Sequence, residues 1–320
     1  MAKAEVSHVN RVMETIESRQ QAAMSSVAAS WCRSVLRHGL DPARNKRQEL
    51  LDSAEITRLH DAHGDLLHIA GAVLDGLYRN VGLAGCCVIL TNADGTVLAS
   101  RSGGTDADFF DSAGLTVGAN WSEATEGTNG IGTCLVESRP VTIHRDEHFA
   151  ARNIDVSCMD APLFDPDGQL VGALDISSGR RDHGVALAAL VSALVQDAAR
   201  QIERDYFCHR YADARIIYAA EAGGRGNVLL AADGDDLVIG ATRAARQQFK
   251  LGRGDFSAPR PVSDIVGAAG PAGFRDSERT ILRQALARSG GNVAASARAL
   301  GIGRATFYRR MERAGLAAGH

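Results

Sequence analysis

Residues 276–316 constrain the fold more than any other stretch of the 320-residue sequence. Ile281, Leu282, Ala285 and Leu286 recur at helical spacing, which predicts a helix over about 276–289. Gly290-Gly291 ends it, because glycine takes left-handed backbone at little cost, and the side-chain oxygen of Asn292 is suited to cap the next helix. That second helix, about 293–300, presents Val293, Ala297 and Leu300 on one face. Gly301-Ile302-Gly303 makes a tight turn, and a third helix over about 304–313 buries Phe307 and Met311. A short helix, a glycine-containing turn and another helix form the helix-turn-helix pattern.

Small alanines in the second helix let the third approach closely and leave its leading end free to enter a major groove. Arg304, Ala305 and Thr306 stand at that end. Arginine bonds guanine in a bidentate manner, and threonine reaches base edges or a thymine methyl. Tyr308 and Arg309 are placed for bases or phosphates, Arg310 and Arg313 for phosphates. The charge distribution agrees. Residues 275–320 hold nine Arg against Asp276, Glu278 and Glu312, or +6; the whole chain is −3, so the remainder is −9. A basic module on an acidic body suits double-stranded DNA, since phosphate neutralisation supplies most non-specific affinity.

Upstream, residues 1–80 read mainly as helix, with Val9, Val12, Met13 and Ile16, and then Leu66, Ile69, Val73 and Leu77, at helical spacing. Pro42 and the charged stretch through Arg47 break them. From Cys86 the period changes. Residues 86–90 and 96–98 flank Asn92-Ala93-Asp94-Gly95, and 161–164 and 169–176 flank Asp165-Pro166-Asp167-Gly168, which predicts two hairpins. Pro140–Ile143 reads as a further strand and 184–205 as a long helix. The expected fold class is therefore α+β, an antiparallel sheet flanked by helices and followed by an all-α helix-turn-helix domain. The expected organisation is a helical leader over 1–65 and a sensor domain over 66–205. A short strand-strand-helix segment over 206–252, a Gly/Ala/Pro-rich linker over 253–275 and the DNA module over 276–320 complete it.

The C-terminal run "GGNVAASARALGIGRATFYRRMERAGL" resembles the Fis-type helix-turn-helix that ends bacterial enhancer-binding proteins, with Gly303 where those usually have Ser or Thr. Residues 121–177, "WSEATEGTNGIGTCLVESRPVTIHRDEHFAARNIDVSCMDAPLFDPDGQLVGALDIS", look like the GAF domain of the acetoin-catabolism regulator family. The leader "SWCRSVLRHGLDP" (30–42) resembles the same family, and 213–250 is faintly similar to its PAS-like segment. The resemblance implies a GAF fold, a small-molecule effector and a homodimer reading inverted repeats. Trp121, Glu126, Thr128, Asn129, His148, Phe149 and Cys158 are the candidate effector contacts in such a domain. Members normally carry an AAA+ ATPase between sensor and helix-turn-helix. Here none of Lys3, Lys46 and Lys250 follows a glycine, so the Gly-Lys-Ser/Thr of a phosphate-binding loop is missing. The expected protein is thus a ligand-responsive regulator without its own ATPase, acting through DNA, RNA polymerase or a full-length homologue. The alternative is an interaction protein that tunes such a homologue.

Other classes fit less well. The N-terminus lacks a signal-peptide apolar core, and the apolar run Val185–Val195 is short for a bilayer and broken by Ser192, which points to a cytoplasmic protein without membrane contact. The six cysteines have no C-x-x-C spacing and are expected to be free thiols, with Cys134 and Cys158 open to a redox role. His144-Arg145-Asp146-Glu147-His148 matches a zinc-peptidase pattern, but that chemistry needs both His on one helix face, and His144 ends a strand run. No catalytic residue, metal or cofactor is therefore expected.

Overall fold

The structure, a computed structural model, describes residues 3–18, 25–44, 50–220, 226–252, 256, 260–267 and 278–316. Its contacts divide the chain into two compact units, residues 1–165 with 169–206, and residues 166–168 with 207–320.

Among the described residues the first unit begins with four helices, α1 (Lys3–Glu17), α2 (Ser26–Leu36), α3 (Ser53–Ala62) and α4 (Gly64–Val81). Asp52 starts α3 with a full capping box, accepting from the Glu55 N–H while Glu55 returns the bond to the Asp52 N–H. Five antiparallel strands come next: β1 (Cys86–Thr91), β2 (Val97–Arg101), β3 (Val141–His144), β4 (Ser157–Phe164) and β5 (Leu170–Ser178), in the spatial order β2-β1-β5-β4-β3. The two predicted hairpin turns are present, with Gly95 at φ 80° and Gly168 at φ 77°. Asn92 holds the first turn by accepting from the Asp94 and Thr96 N–H groups.

Both faces of the sheet are covered, which is why β1 reads as an unbroken apolar run. On one face Val88, Leu90, Met159, Leu174 and Ile176 pack against α4 and the long helix α8 (Val185–Arg210). On the other, Cys87, Ile89, Cys158 and Ala173 meet α5 (Ala107–Ser112) and α7 (Gly130–Glu137). Between these two helices lies the single turn α6 (Glu123–Glu126). Helix α8 extends beyond the predicted 205 and, with 26 residues, is long and apolar enough by composition to cross a membrane. Val191, Val195, Ala198, Ala199 and Ile202 instead lie in the sheet's core. Burying each such aliphatic side chain contributes about 1.5–3 kcal/mol, less for alanine.

The second unit has a four-stranded antiparallel sheet, β6 (Arg215–Tyr218), β7 (Leu229–Ala232), β8 (Leu237–Ala241) and β9 (Arg260–Pro261), in that order. Helices α9 (Arg243–Phe249) and α10 (Val262–Val266) pack with it. Part of the expected linker is therefore structured. Arg260–Pro261 pairs with β8, and Val262, Ile265 and Val266 join the small apolar core. Residues 253–255, 257–259 and 268–275 of that expectation lie outside the described residues.

The last three helices are α11 (Glu278–Arg288), α12 (Val293–Ala299) and α13 (Arg304–Arg313), within two residues of the predicted bounds. Gly290 and Gly291 take φ 57° and 81°, Asn292 accepts from the Ala295 N–H at 3.0 Å, and Leu282, Ala285, Ala297, Phe307 and Met311 form the core.

Candidate functional site

The segment from Trp121 to Cys134 is built for close approach. Gly127 has φ 69°, and a Cβ there would lie 2.3 Å from the Phe149 ring. A Cβ on Gly132 would lie 2.4 Å from the Glu123 nitrogen. Asn129 caps α7 by accepting from the Gly132 N–H, and its amide donates to the carbonyls of Trp121 and Gly127 at 3.0 and 2.8 Å. Thr128 shares a 2.7 Å hydrogen bond with Ser30 of α2, and its carbonyl accepts from the Phe149 N–H. The leader thus packs into the same unit as the sheet. Ser30 also donates to the buried Glu123, which Arg33 pairs through Nε at 2.7 Å. His8 bonds the Phe149 carbonyl, and Trp31 donates to the Glu147 carbonyl.

The seven candidate effector contacts separate into two groups. Trp121 and Glu126 line a cavity of about 210 Å³, together with Asp111, Thr116 and Asn120. Thr116 Oγ1 is buried there without a partner. Glu126 is ion-paired to Arg152, and Trp121 Nε1 donates to the Gly114 carbonyl. Thr128, Asn129, His148, Phe149 and Cys158 do not line this cavity; they are buried and bonded within the frame. Asp111, Thr116 and Asn120 carry no pattern by which sequence reasoning finds them.

His148 is fully buried, with Nδ1 on the Arg145 carbonyl at 2.8 Å and Nε2 on Cys158 Sγ at 3.4 Å. Burial lowers its pKa to about 4, which keeps the ring neutral. His144 ends β3 and bonds Ser157, and a single 3₁₀ turn separates it from His148, so the helical face of a zinc peptidase is not formed. Among the described residues no cluster of three or more His, Cys, Asp or Glu is arranged for a metal ion. All six cysteines are free thiols. Burial, and next the carboxylates of Asp160 and Asp175, push the Cys134 and Cys158 thiols well up, against thiolate chemistry.

One buried group escaped the sequence reading. Asp160 of β4 and Asp175 of β5 are direct cross-strand partners and are both fully buried. Burial pushes Asp175 up to about 7, and burial with the neighbouring Asp175 pushes Asp160 well up. A charged residue inside each apolar strand, "CMDAPLF" and "GALDIS", was the available signal.

At the other end of the chain, α13 presents Arg304, Ala305, Tyr308 and Arg309 to solvent, with Thr306 half-buried. The Arg304 guanidinium lies 5.7 Å from the Tyr308 ring centre. Arg310 is drawn back to Glu278 at 3.3 Å. Three further arginines are neutralised within the second unit: Arg279 and Arg283 by Asp235, and Arg288 by Asp264. The unpaired basic surface among the described residues of the module is therefore Arg298, Arg304, Arg309 and Arg313.

Residues 65–204 match the GAF domain, and residues 273–313 match the bacterial regulatory proteins of the Fis family. The chain is 34% identical over 178 residues to the acetoin catabolism regulatory protein of Cupriavidus necator, covering 56% of this chain and 27% of that protein. It is 30% identical over 186 residues to the acetoin dehydrogenase operon transcriptional activator AcoR of Bacillus subtilis, covering 56% of this chain and 30% of that one. A propane 2-monooxygenase operon activator, MimR of Mycolicibacterium smegmatis, is 31% identical over 186 residues, 57% of this chain and 30% of its own. The chain thus spans less than a third of each of these relatives. Its fold is similar to the Escherichia coli DhaR(N)–DhaL crystal structure, with a TM-score of 0.52 at 15% identity over 75% of this chain and 80% of that one. The chain thus carries one segment that matches the GAF domain and one that matches the Fis family of bacterial regulatory proteins, and it is similar over part of its length to acetoin-catabolism regulators and operon activators.

Proposed function

We propose that the chain is a ligand-responsive transcription regulator of the bacterial cytoplasm that binds DNA as a homodimer and has no enzymatic activity. The observation that carries this reading is the exposed, unpaired basic face of α13 on a three-helix module. Arg304, Ala305, Thr306, Tyr308 and Arg309 read bases or phosphates, and Arg310 turns to phosphate on exchanging Glu278 for DNA. The effector enters the sensor domain at the Trp121–Glu126 cavity, whose size and few polar groups suit a small molecule. Thr128, Asn129, His148, Phe149 and Cys158 act there by holding that wall in place. Ligand shifts the dimer between arrangements in which the two recognition helices do or do not match half-sites about 34 Å apart.

Without a Gly-Lys-Ser/Thr loop the chain does not remodel polymerase by ATP hydrolysis, so it acts by occupying DNA or by contacting RNA polymerase or a full-length homologue. Selection from a random duplex library by the purified full chain tests the reading. The expected result is enrichment of an inverted repeat with half-sites one helical turn apart. A library that stays unenriched at low salt overturns it.

A further inference from the structure

Helix α11 is bonded on two sides. Leu282 and Ala285 face the apolar core of the three C-terminal helices. Arg279, Thr280, Arg283 and Gln284, at positions i, i+1, i+4 and i+5, all reach Asp235 in the turn between β7 and β8. Thr280 Oγ1 donates to Asp235 Oδ1 at 2.9 Å, and Arg283 pairs with Oδ2. Arg279 stands 3.9 Å from Oδ2, and Gln284 Nε2 donates to the Asp235 carbonyl at 3.1 Å. Asp235 and Thr280 are both buried. Burial acts to raise the Asp235 carboxyl, but its bonds from Arg283 and Thr280 hold it below the ordinary value. At the far end of the helix, Arg288 forks onto Asp264 of α10, with nitrogen-to-oxygen distances of 3.0 and 3.1 Å.

The turn is shaped for this before α11 arrives. Asp233 Oδ1 accepts from the Asp235 and Leu237 N–H groups at 2.9 and 3.0 Å, and its Oδ2 takes Arg283 at 3.2 Å. The seam itself is polar. Among the described residues, the apolar core of the small sheet and that of the three helices share no side chain. Apolar surfaces tolerate sliding, whereas forked and charge-assisted hydrogen bonds accept one geometry.

We infer that this acid clamp sets the spacing between the two DNA half-sites: Asp235 and Asp264 hold α11, and with it the recognition helix α13, in one orientation on the small sheet. The inference rests on the reading of the chain as a DNA-binding homodimer. Each base pair added between half-sites moves one of them about 3.4 Å along the duplex and turns it about 34° around the axis. A clamped module does not follow that rotation. With the clamp cut, the link from α10 to α11 is residues 267–277, eleven residues with three glycines. A coil of that length has a span of about 18 Å, enough to follow a shift of several base pairs. Asp235 and Asp264 are thus positioning residues that act through α11 without touching DNA.

Duplex selection by the full chain, from a library in which the distance between half-sites varies, tests the clamp. Asp235→Asn/Asp264→Asn cuts it from the sheet side. Arg283→Gln/Arg288→Gln cuts it from the helix side at partly exposed positions, and serves if the first variant does not fold. The wild type is expected to favour one spacing over those two base pairs away by at least about tenfold, and the variants by less than about threefold on the same half-site sequence. A folded variant that keeps the wild-type preference overturns the inference, as does a wild type that enriches several spacings or isolated half-sites. Loss of the half-site sequence in the arginine variant shows that Arg283 or Arg288 reads DNA, and also overturns it. These outcomes leave DNA binding by the chain intact. A wild type that enriches nothing removes the regulator reading, and the spacing role with it.

Discussion

Arg33 of α2 reaches the carboxylate of Glu123 through two nitrogens, at 2.7 and 3.0 Å, and also bonds Glu137 of α7 at 3.1 Å. Glu123 is only 1% exposed in its side chain, so the leader arginine neutralises a charge that the sensor unit has buried. Arg33→Ala leaves that carboxylate unpaired and is expected to cost about 3 kcal/mol in urea unfolding. A loss below about 0.5 kcal/mol would show that the leader does not hold the α6–α7 segment.

The Asp160–Asp175 pair sets a pH dependence. Asp175 stands near 7 in the folded chain because it is buried, against an ordinary 3.8. A folded-state pKa raised above its unfolded value gives a contribution that is full below about 4 and lost as pH rises through about 7. The wild type is therefore expected to melt at a lower temperature at pH 8 than at pH 5. Asp175→Asn should flatten that profile and raise Tm at pH 8. Thermal melts across this range check it, and parallel profiles for both proteins would remove the pair as the cause.

Gly132→Ala should destabilise by about 1–3 kcal/mol, because the added methyl meets the Glu123 backbone nitrogen rather than a side chain that turns aside. Gly301→Ala meets no atom but has to hold φ 65°, and a smaller cost of about 1 kcal/mol is expected. Paired denaturation curves distinguish crowding from backbone strain.

On DNA the two kinds of arginine should separate. Arg304→Ala is expected to weaken the selected operator by about 1–3 kcal/mol and to relax one base position. Arg313→Ala should weaken all duplexes alike and reduce the salt slope by about 0.9. Titrations at several salt concentrations measure both. Arg283→Ala, which removes a partner of Asp233 and Asp235, should leave the slope unchanged.

Legibility tracked the range of the interactions. The C-terminal helices were readable because glycine stops, the Asn292 cap and apolar spacing are local signals, and they agree with one another. The hairpins at Gly95 and Gly168 were readable for the same reason. Strands β6 and β9 were not, since Arg215–Tyr218 and Arg260–Pro261 are strands by virtue of partners 11 or more residues away. At the sensor, Trp121 and Glu126 were recognisable as a wall with a polar group. Thr116 and Asn120 owe their place to the segment that runs along the edge of β2, where the Gly118 N–H donates to the Val97 carbonyl. The nine arginines of the tail also overstated its free charge, because the acids that neutralise three of them come from positions 235 and 264.

Gly303 opens α13 without a side-chain acceptor for the first amides of the helix. A serine there would satisfy one of them internally and hold the leading turn closed at all times. With glycine these amides stay open to an outside acceptor, which in the proposed DNA complex is a phosphate oxygen, and that contact is expected to firm up the turn that carries Arg304 and Thr306. Amide exchange at residues 304–306 should then be fast in solution and slow sharply once the operator is added.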